Sequence, residues 1–171
     1  MDLPQPACDA HVHVFGPQAR FPYAAGRSFT PPEAPKEALF GLHARLGLAR
    51  CVVVQSTCHG YDNRVTADAL AARPGAYRGV ALLPPAAARE ELACLDRAGF
   101  RGVRFNYMRH LGDAAPVEDV VAMTAKLAEL GWHLQLHLDP GLIGGMAAAL
   151  RRSATPVVID HMGRVDAALG L

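Results

Sequence analysis

Two histidines separated by one residue, His11 and His13, close the short run that begins at Cys8. If that run is extended, alternation puts both imidazoles on one face with Cα atoms about 7 Å apart. Rings so placed can share a metal ion or converge on one polarised oxygen. A similar device recurs further on, where His133, Gln135 and His137 share one face and Trp132, Leu134, Leu136 and Leu138 share the other. Asp160-His161 follows the apolar run Val157-Val158-Ile159, and Gly102-Val103-Arg104-Phe105-Asn106 carries an arginine into another such run. An arginine in that setting suits an anion, because its planar fork matches a carboxylate. Tyr107, Arg109 and His110 follow it, and Gln55-Ser56-Thr57-Cys58-His59 forms a polar turn of the kind a substrate pocket uses. His43 and His133 read as ordinary satisfied histidines of the core or the surface. Cys58 has no activating neighbour in the sequence, so no nucleophilic thiol is expected.

These residues need elements to hold them, and the chain alternates strand and helix signals. Strand-like runs are Cys8–Phe15, Arg50–Gln55, Tyr77–Leu83, Gly102–Asn106, Trp132–Leu138 and Pro156–His161. Leu39, Leu42 and Leu46 recur at helical spacing, as do Val117, Val120, Val121, Thr124 and Leu127. Asp62 is placed to cap a helix running through Leu70, and Asp113 to Pro116 to begin one ending at Gly131. The Pro- and Gly-rich stretch Gly16–Pro35 reads as a long loop. Six strands with five intervening helices imply a parallel sheet, since parallel neighbours need crossovers. A doubly wound sheet and a (β/α)8 barrel both satisfy that pattern, and both bind ligands at the carboxyl ends of their strands. The candidate residues fall at those ends.

The composition removes several alternatives. The 171 residues are 51% hydrophobic and 19% charged, with a formal net charge of +1. That is too apolar for a disordered chain and lacks the basic stripe of a nucleic-acid binder. No GxGxxG or GxxxxGK[ST] pattern follows the first strand, so nucleotide binding is not expected. Apolar runs fall short of the roughly 20 residues a membrane span needs. The first ten residues show no leader pattern, and the cysteines Cys8, Cys51, Cys58 and Cys94 form no CxxC pair. A cytoplasmic protein with buried free thiols is expected.

Taken together, several motifs resemble the amidohydrolase-related family of the amidohydrolase superfamily. They are Asp9-Ala10-His11-Val12-His13-Val14-Phe15-Gly16-Pro17, Phe21-Pro22-Tyr23, Gly102-Val103-Arg104-Phe105-Asn106 and Ile159-Asp160-His161-Met162-Gly163-Arg164. The likeness is nearest to the 2-pyrone-4,6-dicarboxylate lactonase branch. It implies an α/β fold, a distorted (β/α)8 TIM-type barrel, and hydrolysis of a small carboxylated lactone without a metal cofactor. In that resemblance His11, His13 and His161 are catalytic and polarise the lactone carbonyl. Arg104 binds carboxylate, with Arg109, His110, Thr57, His59 and His137 as further substrate contacts. Water activation belongs to an aspartate after an eighth strand.

Three positions depart from the branch pattern. Phe29 and His137 stand where tyrosines are expected, and His110 where a second arginine is expected. Loss of a guanidinium and two phenols alters recognition by a few kcal/mol. His137 also keeps a zinc reading open, in which one Zn²⁺ is held by His11, His13 and His161. That second reading is a zinc-dependent decarboxylase or deacylase of the same fold; a third is a catalytically inert chain or a binder of small acids. Because barrels of this type usually need about 250 residues, the chain is expected to be a single domain truncated after about six strands. Alone, it is expected to be poorly stable and inactive.

Overall fold

The computed structural model describes Pro4, residues 6–111 and residues 114–169; Asp113 lies outside the described residues. The chain divides into two compact units. The first takes in the chain up to Leu82 together with Ala88–Arg101, and the second comprises Leu83–Ala87 and Gly102 onward.

In the first unit the elements are β1 (Cys8–Val12), α1 (Lys36–Leu46), β2 (Arg50–Val54), α2 (Arg64–Ala71), β3 (Tyr77–Leu82) and α3 (Arg89–Arg97). β1 pairs with β2, and β2 with β3, all parallel. The valines of β2 explain its strand character, since β-branched side chains pack well on a pleated surface. Val53 and Val54 are buried, together with Cys51, Val80, Leu70, Leu92 and Phe100. Gly79 is required where it stands, because a Cβ there would lie 2.7 Å from Phe100 Cδ1 and 2.8 Å from Leu70 Cδ1.

α1 differs from the expected pattern. Leu39 is buried, but Leu42 and Leu46 are 41% and 48% exposed, and His43 takes the inward place at 2%. The reason is polar: His43 bonds on both ring nitrogens inside the unit, so burying it costs no hydrogen bond. The helix ends at Gly47, whose left-handed φ of 70° lets its N–H reach the His43 carbonyl. At α2 the N-cap residue is Asn63 rather than Asp62. Asp62 still serves the helix start, accepting the Arg64 N–H at 3.2 Å.

In the second unit lie β4 (Phe100–Tyr107, whose first two residues belong to the first unit), α4 (Val117–Glu129), β5 (His133–Leu138), α5 (Leu142–Leu150) and β6 (Val157–Ile159). β4 runs parallel to β5 from Gly102 opposite His133 to Tyr107 opposite Leu138, and β5 pairs with β6 through Leu134–Leu136. β6 is shorter than expected, because Asp160 and His161 turn out of the strand. On α4 the buried line is Val120, Met123, Thr124 and Leu127, with Met123 where the sequence suggested Val121. From Leu134 to Leu138, β5 is buried on both faces, as befits a parallel strand. The fully buried Trp132 precedes it, and its carbonyl accepts the Thr155 hydroxyl.

Candidate active site

Within the first unit, β1 delivers His11 and His13. Asp9 pairs with Cys51 and Val12 with Val53, so two residues of β1 span the place of one on β2. This is a β-bulge at Ala10–His11. The strict alternation expected from the sequence is therefore interrupted, yet the two rings still meet edge-on, with centroids 5.2 Å apart. His13 Nδ1 lies 2.7 Å from the carbonyl oxygen of Val54, the last residue of β2. A carbonyl only accepts, so Nδ1 carries the proton and Nε2 is the basic nitrogen of that ring.

An aromatic row continues from this pair. Phe15 lies 6.0 Å from His13, His59 stacks on Phe15 at 6.4 Å, and Tyr23 lies 4.8 Å from His59. The turn Thr57–His59 is held by Ser56, whose hydroxyl accepts the Cys58 N–H. His59 donates Nδ1–H to the Pro22 carbonyl, and burial lowers its pKa, so the ring is neutral with an acceptor at Nε2. That nitrogen and the Tyr23 hydroxyl are buried without a hydrogen-bond partner among the described residues. Tyr23 was not singled out as a contact by sequence reasoning, although it sits in the Phe21-Pro22-Tyr23 motif. Gln55 is a strut of the fold, bonded to the Thr66 hydroxyl and the Asp62 carbonyl. Thr57 stands half-buried beside it, at the start of the turn.

Within the second unit, β4, β5 and the segment after β6 converge on a buried carboxylate. Arg104 Nε and Nη2 lie 2.8 and 2.7 Å from Asp160 Oδ2, and Gln135 Nε2 lies 2.6 Å from Oδ1. Burial pulls the Arg104 guanidinium below its ordinary value, and Asp160 opposes that shift. Two residues along each strand, Asn106 and His137 face one another, with Nδ1 of the histidine 3.2 Å from the amide oxygen. His137 therefore carries its proton on Nδ1. Burial first, then the Arg104 charge, lowers its pKa to about 4, so the ring is neutral. Its Nε2 is buried with no hydrogen-bond partner among the described residues.

His161 meets His137 edge-on at 5.3 Å. It begins a run of left-handed residues: φ is 52° at His161, 53° at Met162, 70° at Gly163 and 53° at Arg164. Only glycine adopts that region without penalty, and each other residue costs on the order of 1–2 kcal/mol. Strain of this kind persists where surrounding bonds over-determine it, and the Asp160 anchor does so here. Arg109 and His110 are exposed in the turn after β4, with Arg109 Nε 3.9 Å from Asp139. Both help to line a cavity of about 580 Å³ with Asp139, Pro140, Gly141 and Leu142.

Parallel β/α units that carry histidines, a buried arginine and an aspartate at the strands' carboxyl ends are the pattern of the amidohydrolase class. The chain belongs to the Amidohydrolase family, whose profile matches residues 8–171. It is 43% identical over 169 residues to the 2-pyrone-4,6-dicarboxylate hydrolase of Comamonas testosteroni, covering 99% of this chain and 55% of that protein. It is 38% identical over 170 residues to the 4-sulfomuconolactone hydrolase of Rhizobium radiobacter, covering 99% and 57%. The chain thus spans a little over half the length of the curated relatives it matches.

Among solved structures, one named as a 2-pyrone-4,6-dicarboxylic acid hydrolase, from Acinetobacter baumannii with citric acid bound, superposes with a TM-score of 0.85 at 26% identity. It covers 95% of this chain and 60% of its own. The fold is therefore the (β/α)8-type fold of these hydrolases, represented by six strands. An amidohydrolase from Burkholderia multivorans with bound zinc shares that fold at a TM-score of 0.64 and 19% identity, covering 92% and 58%. No helix among the described residues is long and apolar enough to cross a membrane.

Proposed function

We propose that this chain carries the histidine and carboxylate-binding half of a hydrolase that opens a small carboxylated lactone. The observation that supports this most strongly is the Val54 carbonyl on His13 Nδ1, which presents Nε2 as the ring's working nitrogen. His11, His13 and His161 take the carbonyl-polarising roles that the family resemblance gives them. Stabilising the oxyanion as it forms lowers the barrier more than any contact made equally in the ground state.

In this reading Arg104 takes a smaller part in the anion subsite. Arg104 spends its Nε–H and one Nη2–H on Asp160, so its part in carboxylate binding falls to the remaining N–H groups of Nη1 and Nη2. Exposed Arg109 and His110 offer the other donors. His137 is neutral and presents an acceptor, so it recognises a hydroxyl or another donor rather than a carboxylate.

The donor set also fits one Zn²⁺. A histidine whose Nδ1–H is held by a backbone carbonyl is the arrangement that orients a metal-binding Nε2. In the first unit His11 and His13 would hold the ion, and bound zinc supplies Lewis-acid polarisation of a carbonyl. The readings differ in protonation. With Nδ1–H fixed, His13 can donate from Nε2 only as an imidazolium, whereas it ligates zinc only as the neutral ring.

The test is hydrolysis of 2-pyrone-4,6-dicarboxylate and of 4-sulfomuconolactone, followed by loss of the lactone across pH, with zinc content measured in parallel. Turnover that falls by roughly a hundredfold or more in His13→Ala supports the lactonase reading. Equal turnover in that variant overturns it. Stoichiometric zinc with activity rising with pH selects the metal reading; activity falling with pH selects the imidazolium.

A further inference from the structure

Asp9 stands two residues before His11 and uses both oxygens of its carboxylate. Oδ1 lies 3.2 Å from the His11 backbone N–H, and Oδ2 lies 3.2 Å from His43 Nε2. The second ring nitrogen of His43, Nδ1, lies 2.5 Å from the Tyr77 hydroxyl. A carboxylate accepts, so His43 donates from Nε2 and its Nδ1 accepts the Tyr77 O–H. His43 and Tyr77 are 2% and 3% exposed, and the chain of bonds joins α1, β3 and β1 within the first unit. It reaches β1 at the bulge, on the N–H of His11 itself.

A packing role alone would be met by an apolar side chain at position 43. Here a polar chain, buried at His43 and Tyr77 and half-buried at Asp9, ends on the backbone N–H of His11. We propose that Asp9, buttressed by His43 and Tyr77, is a positioning residue. It fixes the bulge and, through it, the edge-on setting of His11 against His13. The consequence for turnover rests on the lactonase reading; the structural claim does not.

The experiment compares Asp9→Ala, Asp9→Asn and His43→Phe with the parent protein by long-range ¹H–¹⁵N spectra of the histidine rings, with thermal melts to verify folding. In Asp9→Ala the His11 and His13 ring signals move while those of His59 and His137 stay. In Asp9→Asn, which keeps an oxygen for the His11 N–H, they return towards the parent positions. Where lactone turnover is present, Asp9→Ala lowers kcat roughly tenfold with KM within about twofold, and Asp9→Asn restores most of it.

Unmoved His11 and His13 signals in folded Asp9→Ala overturn the proposal, as does Asp9→Asn displacing them as far as alanine does. If Asp9→Ala does not fold, His43→Phe decides: displaced His11 signals support the buttress and unmoved ones overturn it. Lactone turnover unchanged in His13→Ala counts against the lactonase reading, and the ring spectra still decide the role of Asp9.

Discussion

Arg104 and Asp160 form a buried ion pair in which two guanidinium nitrogens reach a single carboxylate oxygen, at 2.8 and 2.7 Å, with side-chain exposures of 5% and 2%. The pair fixes the start of the strained turn that carries His161. Gln135 donates to the second carboxylate oxygen, so both oxygens are hydrogen-bonded.

Breaking that pair from one side leaves a buried charge uncompensated. Asp160→Leu and Arg104→Met are each expected to lose about 3–5 kcal/mol of stability. The double variant Arg104→Met/Asp160→Leu recovers most of the loss, because it removes both desolvation costs. Urea denaturation of the four proteins measures this. A double variant as unstable as the sum of the singles would show that the pair contributes no coupling.

The neutral His137 makes stability depend on pH. Its pKa lies below the ordinary 6.5, at about 4, so the unfolded chain takes up this proton before the folded one does. Stability contributed by the neutral ring is complete above 6.5, falls as pH drops towards 4, and levels off below. The span is on the order of 3 kcal/mol. His137→Phe flattens this part of the curve when denaturation midpoints are followed between pH 7.5 and about 4. An unchanged slope would contradict the assignment.

Arg109 separates binding from stability. It is 97% exposed and 3.9 Å from Asp139, a surface pair whose loss costs well under about 1 kcal/mol. Arg109→Ala is expected to leave the thermal midpoint unchanged while raising KM for a carboxylated lactone roughly tenfold. An unchanged KM would remove Arg109 from the anion subsite.

Gly79 tests the packing of the first unit. A methyl group there meets the fully buried Phe100 and Leu70 at under 3 Å, with no exposed side chain to move aside. Gly79→Ala is expected to destabilise by about 1–3 kcal/mol in chemical denaturation. Arg78→Ala, at the half-buried position one residue earlier, serves as the comparison.

Much of the scaffold was legible because apolar runs separated by helical periodicity have few other solutions. All six strands occur where Cys51, Val103, Leu134 and their neighbours announced them, with boundaries moved by a few residues. The two histidine clusters were legible for the same reason: they interrupt apolar runs at alternating positions. The partner of Arg104 was not. Asp160 lies 56 residues away, and the only clue was two charged residues in otherwise apolar runs of a low-charge chain. The inward turn of His43 was hidden too, since periodicity ranks leucines above a histidine and says nothing of Asp9 and Tyr77. The bulge at His11 escaped because a side-chain bond to the backbone, not hydrophobic alternation, holds it.

The Val54 carbonyl on His13 has a consequence for traffic through that ring. An imidazole that passes protons along must load at one nitrogen and unload at the other. With Nδ1–H pinned 2.7 Å from a backbone oxygen that has no proton to exchange, His13 is a one-ended group. Any proton that arrives at Nε2 must leave by the same atom, which makes the residue a terminus rather than a conduit.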